Sequence, residues 1–154
     1  MTTLARAACL TLAATGLLAT LAPGAALAKT DPGVRLTAAL SGANEIGGGD
    51  PDGTGTATLT VRPSTGEICY SVVVTGTATP TRAHIHDAVA GKNGDIVVEL
   101  YEAAKGFGSL SGCTTVKLDL ARSIVAHPAE YYANVHDAVY PAGSVRGQLQ
   151  HGHH

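Results

Sequence analysis

From Val34 onward the chain is written in short alternating runs, and that alternation most restricts its fold. Side chains on a strand point to opposite faces in turn, so a period of two reads as a half-buried strand and a period near 3.6 as a helix. Val34–Leu40, Thr54–Val61, Glu67–Thr75, Thr81–His86, Asp95–Leu100, Tyr131–His136 and Ser144–Gln150 read as strands. Turn formers separate them: a polar loop over Ser41–Gly53 holding Gly47-Gly48-Gly49, then Arg62-Pro63-Ser64-Thr65-Gly66. Glycine, proline, asparagine and aspartate each supply a backbone conformation that strands cannot. Many short strands at this spacing predict an all-β domain, a β-sandwich or a Greek-key barrel. One segment departs from the pattern. Residues 119–127 place Leu120, Ile124 and Val125 on one side of a short helix, with Asp119 expected as N-cap and Pro128 ending it.

The first residues obey a different grammar. Arg6 gives a positive start, Ala7–Leu21 is apolar and uncharged, and Ala26-Leu27-Ala28 is an A-x-A cleavage pattern. Residues 1–28 therefore read as a signal peptide, residues 29–150 as one domain, and residues 151–154 as a histidine-containing tail. Cys9 lies too early in the apolar run for a lipid anchor, and no later apolar run approaches the length of a membrane span. A secreted chain left with Cys69 and Cys113 is expected to join them in a disulfide, with a thiol pair binding metal as the alternative. A net charge of -2, one Phe and no Trp offer nothing to nucleic acid.

The histidines carry the chemistry. In Ala83-His84-Ile85-His86 the two imidazoles share one face of a strand, and in Tyr132, Asn134 and His136 a third joins an in-phase polar set. Arg146 and Gln148 share a face of the last strand. Such an assembly is costly to bury unpaired, so it either faces solvent or is organised around something. Ile85-His86-Asp87-Ala88-Val89 also recurs as Val135-His136-Asp137-Ala138-Val139, each copy followed by a glycine-containing turn and a strand. Two related hairpins placing His86 and His136 in equivalent positions are expected. Three neutral imidazoles suit Cu(II) or Zn(II), which makes His84, His86 and His136 candidate metal ligands with Tyr132, Asn134, Arg146 and Gln148 around them. A hydrogen-bonded polar network and metal-free catalysis are the other readings of the same residues. Asp50-Pro51-Asp52-Gly53 reads as a plain turn rather than a calcium contact, Asn44 and Glu45 as loop caps or, second, as lining a ligand surface, and Tyr131-Tyr132 as one core and one surface aromatic rather than a binding platform.

At these residues the chain resembles the CHRD family, the domain repeated in chordin and found singly in secreted bacterial proteins. The motifs are Leu40-Ser41-Gly42-Ala43-Asn44-Glu45, Gly53-Thr54-Gly55-Thr56-Ala57, Cys69-Tyr70, Ala83-His84-Ile85-His86, Ser111-Gly112-Cys113, Pro128-Ala129-Glu130-Tyr131-Tyr132, Asn134-Val135-His136, Tyr140-Pro141-Ala142-Gly143 and Arg146-Gly147-Gln148-Leu149. Ile46-Gly47 stands where the family often has Val-Pro. The resemblance implies an immunoglobulin-like all-β domain and an extracellular location, and little about activity. A more local likeness to Cu/Zn superoxide dismutase rests on His84, His86, His136 and Arg146, without that family's bridging histidine or zinc loop. Three functions remain: a secreted binding module with a copper or zinc site and an extracellular protein or ligand as partner, a copper-dependent redox enzyme, and a structural or adhesive domain without metal.

Overall fold

The computed structural model describes residues 31–152; the leader read over residues 1–28 and the last two residues lie outside the described residues. Its strands are β1 (Val34–Ser41), β2 (Thr54–Arg62), β3 (Glu67–Thr75), β4 (Pro80–Asp87), β5 (Asp95–Glu102), β6 (Ser109–Thr115), β7 (Tyr131–Asp137), β8 (Val145–Gln148) and β9 (Gln150–His151), with the helix α1 (Leu118–Ala126) before β7. All pairings are antiparallel, and the neighbours run β5-β4-β7-β8-β1-β2-β3-β6, with β9 added to β1. The alternation does what it promised. Leu36 and Ala38 of β1 face Leu59 and Ala57 of β2, and these residues are buried with Leu40, Ile68, Val72, Ile85, Val98, Val135 and Val145 in one core.

Of the two expected architectures the chain takes the barrel. The end strands of the ladder, β5 and β6, come into contact, so the sheet nearly closes on itself. The phenol of Tyr70, on β3, donates a 2.6 Å hydrogen bond to the carbonyl of Leu100 on β5, reaching past β6 to do so. Gly112 of β6 is the register partner of Tyr70, and a Cβ there would stand 2.8 Å from the phenol oxygen. A glycine is therefore what lets the ring cross.

Four details differ from the sequence reading. Ser109–Thr115, absent from the strands read in the sequence, is a strand that carries Cys113 and whose polar residues face outward on an exposed edge. Cys69 and Cys113 are register partners on β3 and β6 and form a disulfide. Lys117, not Asp119, occupies the N-cap of α1, and Asp119 sits in the first turn, where its charge favours the helix dipole. Both Tyr131 and Tyr132 are buried, because β7 is covered on both faces. The pairing also runs into the stretch assigned to the tail: His151 pairs with Leu36, and Gly152 donates to the Arg35 carbonyl at 2.9 Å. Asp50–Gly53 is a turn held by Asp50 Oδ1 on the Asp52 amide.

Candidate metal centre

The centre is built by one strand pair. β4 and β7 lie side by side, with His84 opposite Asn134, His86 opposite Tyr132, and Arg82 opposite His136. Ala83, Ile85, Ala133 and Val135 enter the core, so the alternation drives the histidines to the outer face of the barrel. That face is covered. His84, His86 and His136 are 3 %, 8 % and 7 % exposed, which removes all three rings from bulk water.

The rings converge, with centroids 5.0 Å apart for His84 and His136, 5.7 Å for His84 and His86, and 6.4 Å for His86 and His136. One nitrogen from each lies within 4.8 Å of the others. His86 Nδ1 donates to the Gly94 carbonyl at 2.9 Å, and His136 Nδ1 to the Pro141 carbonyl at 3.1 Å. A carbonyl only accepts, so both rings carry their proton on Nδ1 and keep a lone pair on Nε2. The two copies of the internal echo thus use one device: the loop after each strand fixes the tautomer of its histidine. His84 Nδ1 lies 3.2 Å from His136 Nε2. That is close to the edge of a tetrahedron of zinc–nitrogen bonds, about 3.3 Å. Without an ion His84 Nδ1 carries the hydrogen of this contact; an ion displaces it to His84 Nε2.

Burial holds the rings neutral. It pushes His84 and His136 down to about 4, with the neighbouring histidines and Arg82 acting in the same direction, and it lowers His86 as well. In the unfolded chain such rings titrate near 6.5. Between those values the unfolded state binds more protons, so stability is complete above about pH 6.5 and is lost as pH falls toward 4. Each of the two contributes a slope of up to about 1.4 kcal/mol per pH unit in that window. Glu45, which burial pushes up against the pull of Arg146 and Asn134, opposes this with one group against three. The metal-free protein is therefore expected to show a urea midpoint falling steeply from pH 6.5 to 5. A flat profile there would contradict the burial of the rings.

An ion-paired network backs the histidines. Arg146 places Nε 2.7 Å and Nη2 2.6 Å from Glu45 Oε2, and adds Asn93 Oδ1 at 2.9 Å and the Lys92 carbonyl at 3.2 Å. Its guanidinium lies 4.4 Å from the centre of the Tyr132 ring, which stacks on His86 at 4.7 Å. Asn134 Nδ2 donates to the other oxygen of Glu45. Gly143 backs the carboxylate so closely that a Cβ would stand 2.5 Å from its oxygens. Of the residues expected around the histidines, Tyr132, Asn134 and Arg146 are brought to them. Gln148 instead gives its amide to the carbonyls of Ala88 and Ala129. Glu45 was read as a loop cap, although it ends the Leu40–Glu45 motif. Asn44 donates to the Arg146 carbonyl at 3.2 Å.

A disulfide-linked antiparallel barrel with a histidine cluster under its loops belongs among the small all-β modules. Residues 36–149 match the CHRD domain, which is most of the chain, and the chain belongs to the CHRD family. CHRD domains are extracellular, and no helix among the described residues is long and apolar enough to cross a membrane. No curated protein matches the chain.

Proposed function

We propose that this chain is a secreted CHRD module that binds copper or zinc at His84, His86 and His136. The observation that carries the reading is the fixed tautomer of His86 and His136, each with Nδ1 tied to a loop carbonyl and the lone pair left on Nε2, within a cluster where one nitrogen of each ring lies within 4.8 Å of the others. Carbonyl partners that orient a ring are what metal-ligating histidines use. The neutral state imposed by burial is the state a metal requires. Secretion is supported by the leader pattern in residues 1–28 and by the disulfide.

A redox enzyme needs an open coordination position, and an anionic substrate would need a free cation beside it. Glu45, Asn93 and Lys92 already engage the guanidinium of Arg146, while Arg82, beside His136, gives Nη2 to the Pro141 carbonyl. The burial of all three rings is what favours the binding module.

The test uses mature protein in which His151, His153 and His154 are replaced by serine, so that only the barrel offers imidazoles in a cluster. One equivalent of Zn(II) or Cu(II) is expected to bind and, at a hundredfold excess over Kd, to stabilise the fold by about 2.7 kcal/mol. His86→Ala is expected to lose most of this. No uptake of either ion by the parent protein would end the metal reading. Intact mass of the exported protein is expected to begin at Lys29.

A further inference from the structure

We propose that Asn134 is the fourth ligand of this centre, through Oδ1, and that Glu45 holds it in that role. The inference rests on the metal reading above and gives the site its coordination class: three imidazole nitrogens and one amide oxygen, all from the protein.

Placement comes first. One sequence offset carries Ala83-His84-Ile85-His86 onto Ala133-Asn134-Val135-His136. β4 and β7 are antiparallel with His84 opposite Asn134, so the two segments are related by a local twofold through that pair. His86 and His136 stand two residues to either side of it. Asn134 therefore occupies the position equivalent to His84, on the face where the three rings meet.

Orientation comes next. Asn134 Nδ2 donates to Glu45 Oε1, and Glu45 is clamped through its other oxygen by Arg146. An ionised carboxylate has no hydrogen to give. The amide must turn its nitrogen toward Glu45, and Oδ1 then points away from it.

The third observation points to an occupant. Asn134 Oδ1 and His86 Nε2 are both buried without a hydrogen-bond partner among the described residues. Asn134 is 2 % exposed and His86 8 %, so neither atom is repaid by bulk water. The two residues are diagonal neighbours on one face of the β4–β7 pair. Yet both atoms are acceptors, since the His86 proton is committed to the Gly94 carbonyl. Two buried acceptors on one face are costly unless something beside them accepts electron pairs. A divalent cation also held by His84 and His136 does so.

Four protein ligands close a tetrahedral site and leave no position for substrate, which marks a structural centre. The hard amide oxygen favours a borderline divalent ion, Zn(II) or Cu(II), over Cu(I).

Co(II) is the probe, because its visible absorption is intense in four-coordinate sites and weak in higher coordination. The Co(II)-loaded parent protein is expected to show the intense form and to ignore added azide. Asn134→Ala is expected to bind Zn(II) at least tenfold more weakly and to make the Co(II) spectrum azide-sensitive. Glu45→Gln, which presents an amide that lets Asn134 turn over, is expected to move the spectrum in the same direction. It serves if Asn134→Ala does not fold. An azide-sensitive parent protein means that water or a protonated His86 satisfies Asn134, and overturns the proposal. So do unchanged affinity and spectrum in the variants, although the three-histidine reading then stands. Failure of the parent protein to bind any of the three ions removes both.

Discussion

Arg146→Met is expected to destabilise the protein by about 3–5 kcal/mol, because it leaves a carboxylate buried without its countercharge. The side chain of Glu45 is 2 % exposed and that of Arg146 9 %, so solvent replaces neither partner. The loss does not stop at the pair. Asn93 Oδ1 and the Lys92 carbonyl lose their donor, and the Tyr132 ring loses the cation above it. The loops that roof the histidines would loosen together. Urea denaturation at pH 7 checks the magnitude, and a loss below about 1 kcal/mol would mean that water enters to solvate Glu45. Combining Arg146→Met with Glu45→Leu is expected to recover part of the loss, since removing both charges is less harmful than stranding one.

The second large effect concerns the β3–β6 pair. Replacing Cys69 and Cys113 by alanine is expected to cost about 3–4 kcal/mol, the chain-entropy value for a loop of this length. The disulfide joins residues 44 apart in sequence and ties the edge strand β6 to β3. β6 is Ser-Leu-Ser-Gly-Cys-Thr-Thr and has little apolar surface of its own to hold it. Hydrogen exchange is expected to show β6 amides losing protection before those of β4 and β7. Uniform loss of protection across the sheet would contradict a local role for the bridge.

The strands legible in the sequence were those whose own residues pay for burial. Glu67–Thr75 announces itself through its β-branched residues, and β4 and β7 through alternation around histidines. β6 was illegible because serine and glycine carry no strand preference; its conformation is imposed by pairing with β3. Barrel and sandwich share one alternation, and the choice between them rests on long-range meetings: β8 pairing with β1, and β5 approaching β6 with Tyr70 bonded to Leu100. In the site, the histidines could be assigned to faces by counting residues. Glu45 could not, because it arrives from a loop far away in sequence and its partner Arg146 is identified only when β8 meets β1. Gln148 shows the limit of face arguments: it shares a face with Arg146, yet its amide turns to other carbonyls.

The closure at Tyr70 bears on how copies of this protein avoid one another. The other junctions are made by backbone pairing, a single residue pair in the case of β1 with β8, whereas at the seam between β5 and β6 the phenol of Tyr70 spans the gap. An unpaired strand edge is a template on which a neighbouring molecule adds a strand. Here two such edges face each other, and the latch keeps each turned toward its own chain. Tyr70→Phe would keep the core and the disulfide but remove the phenol's bond across that seam, and is expected to speed hydrogen exchange at the facing amides of β5 and β6.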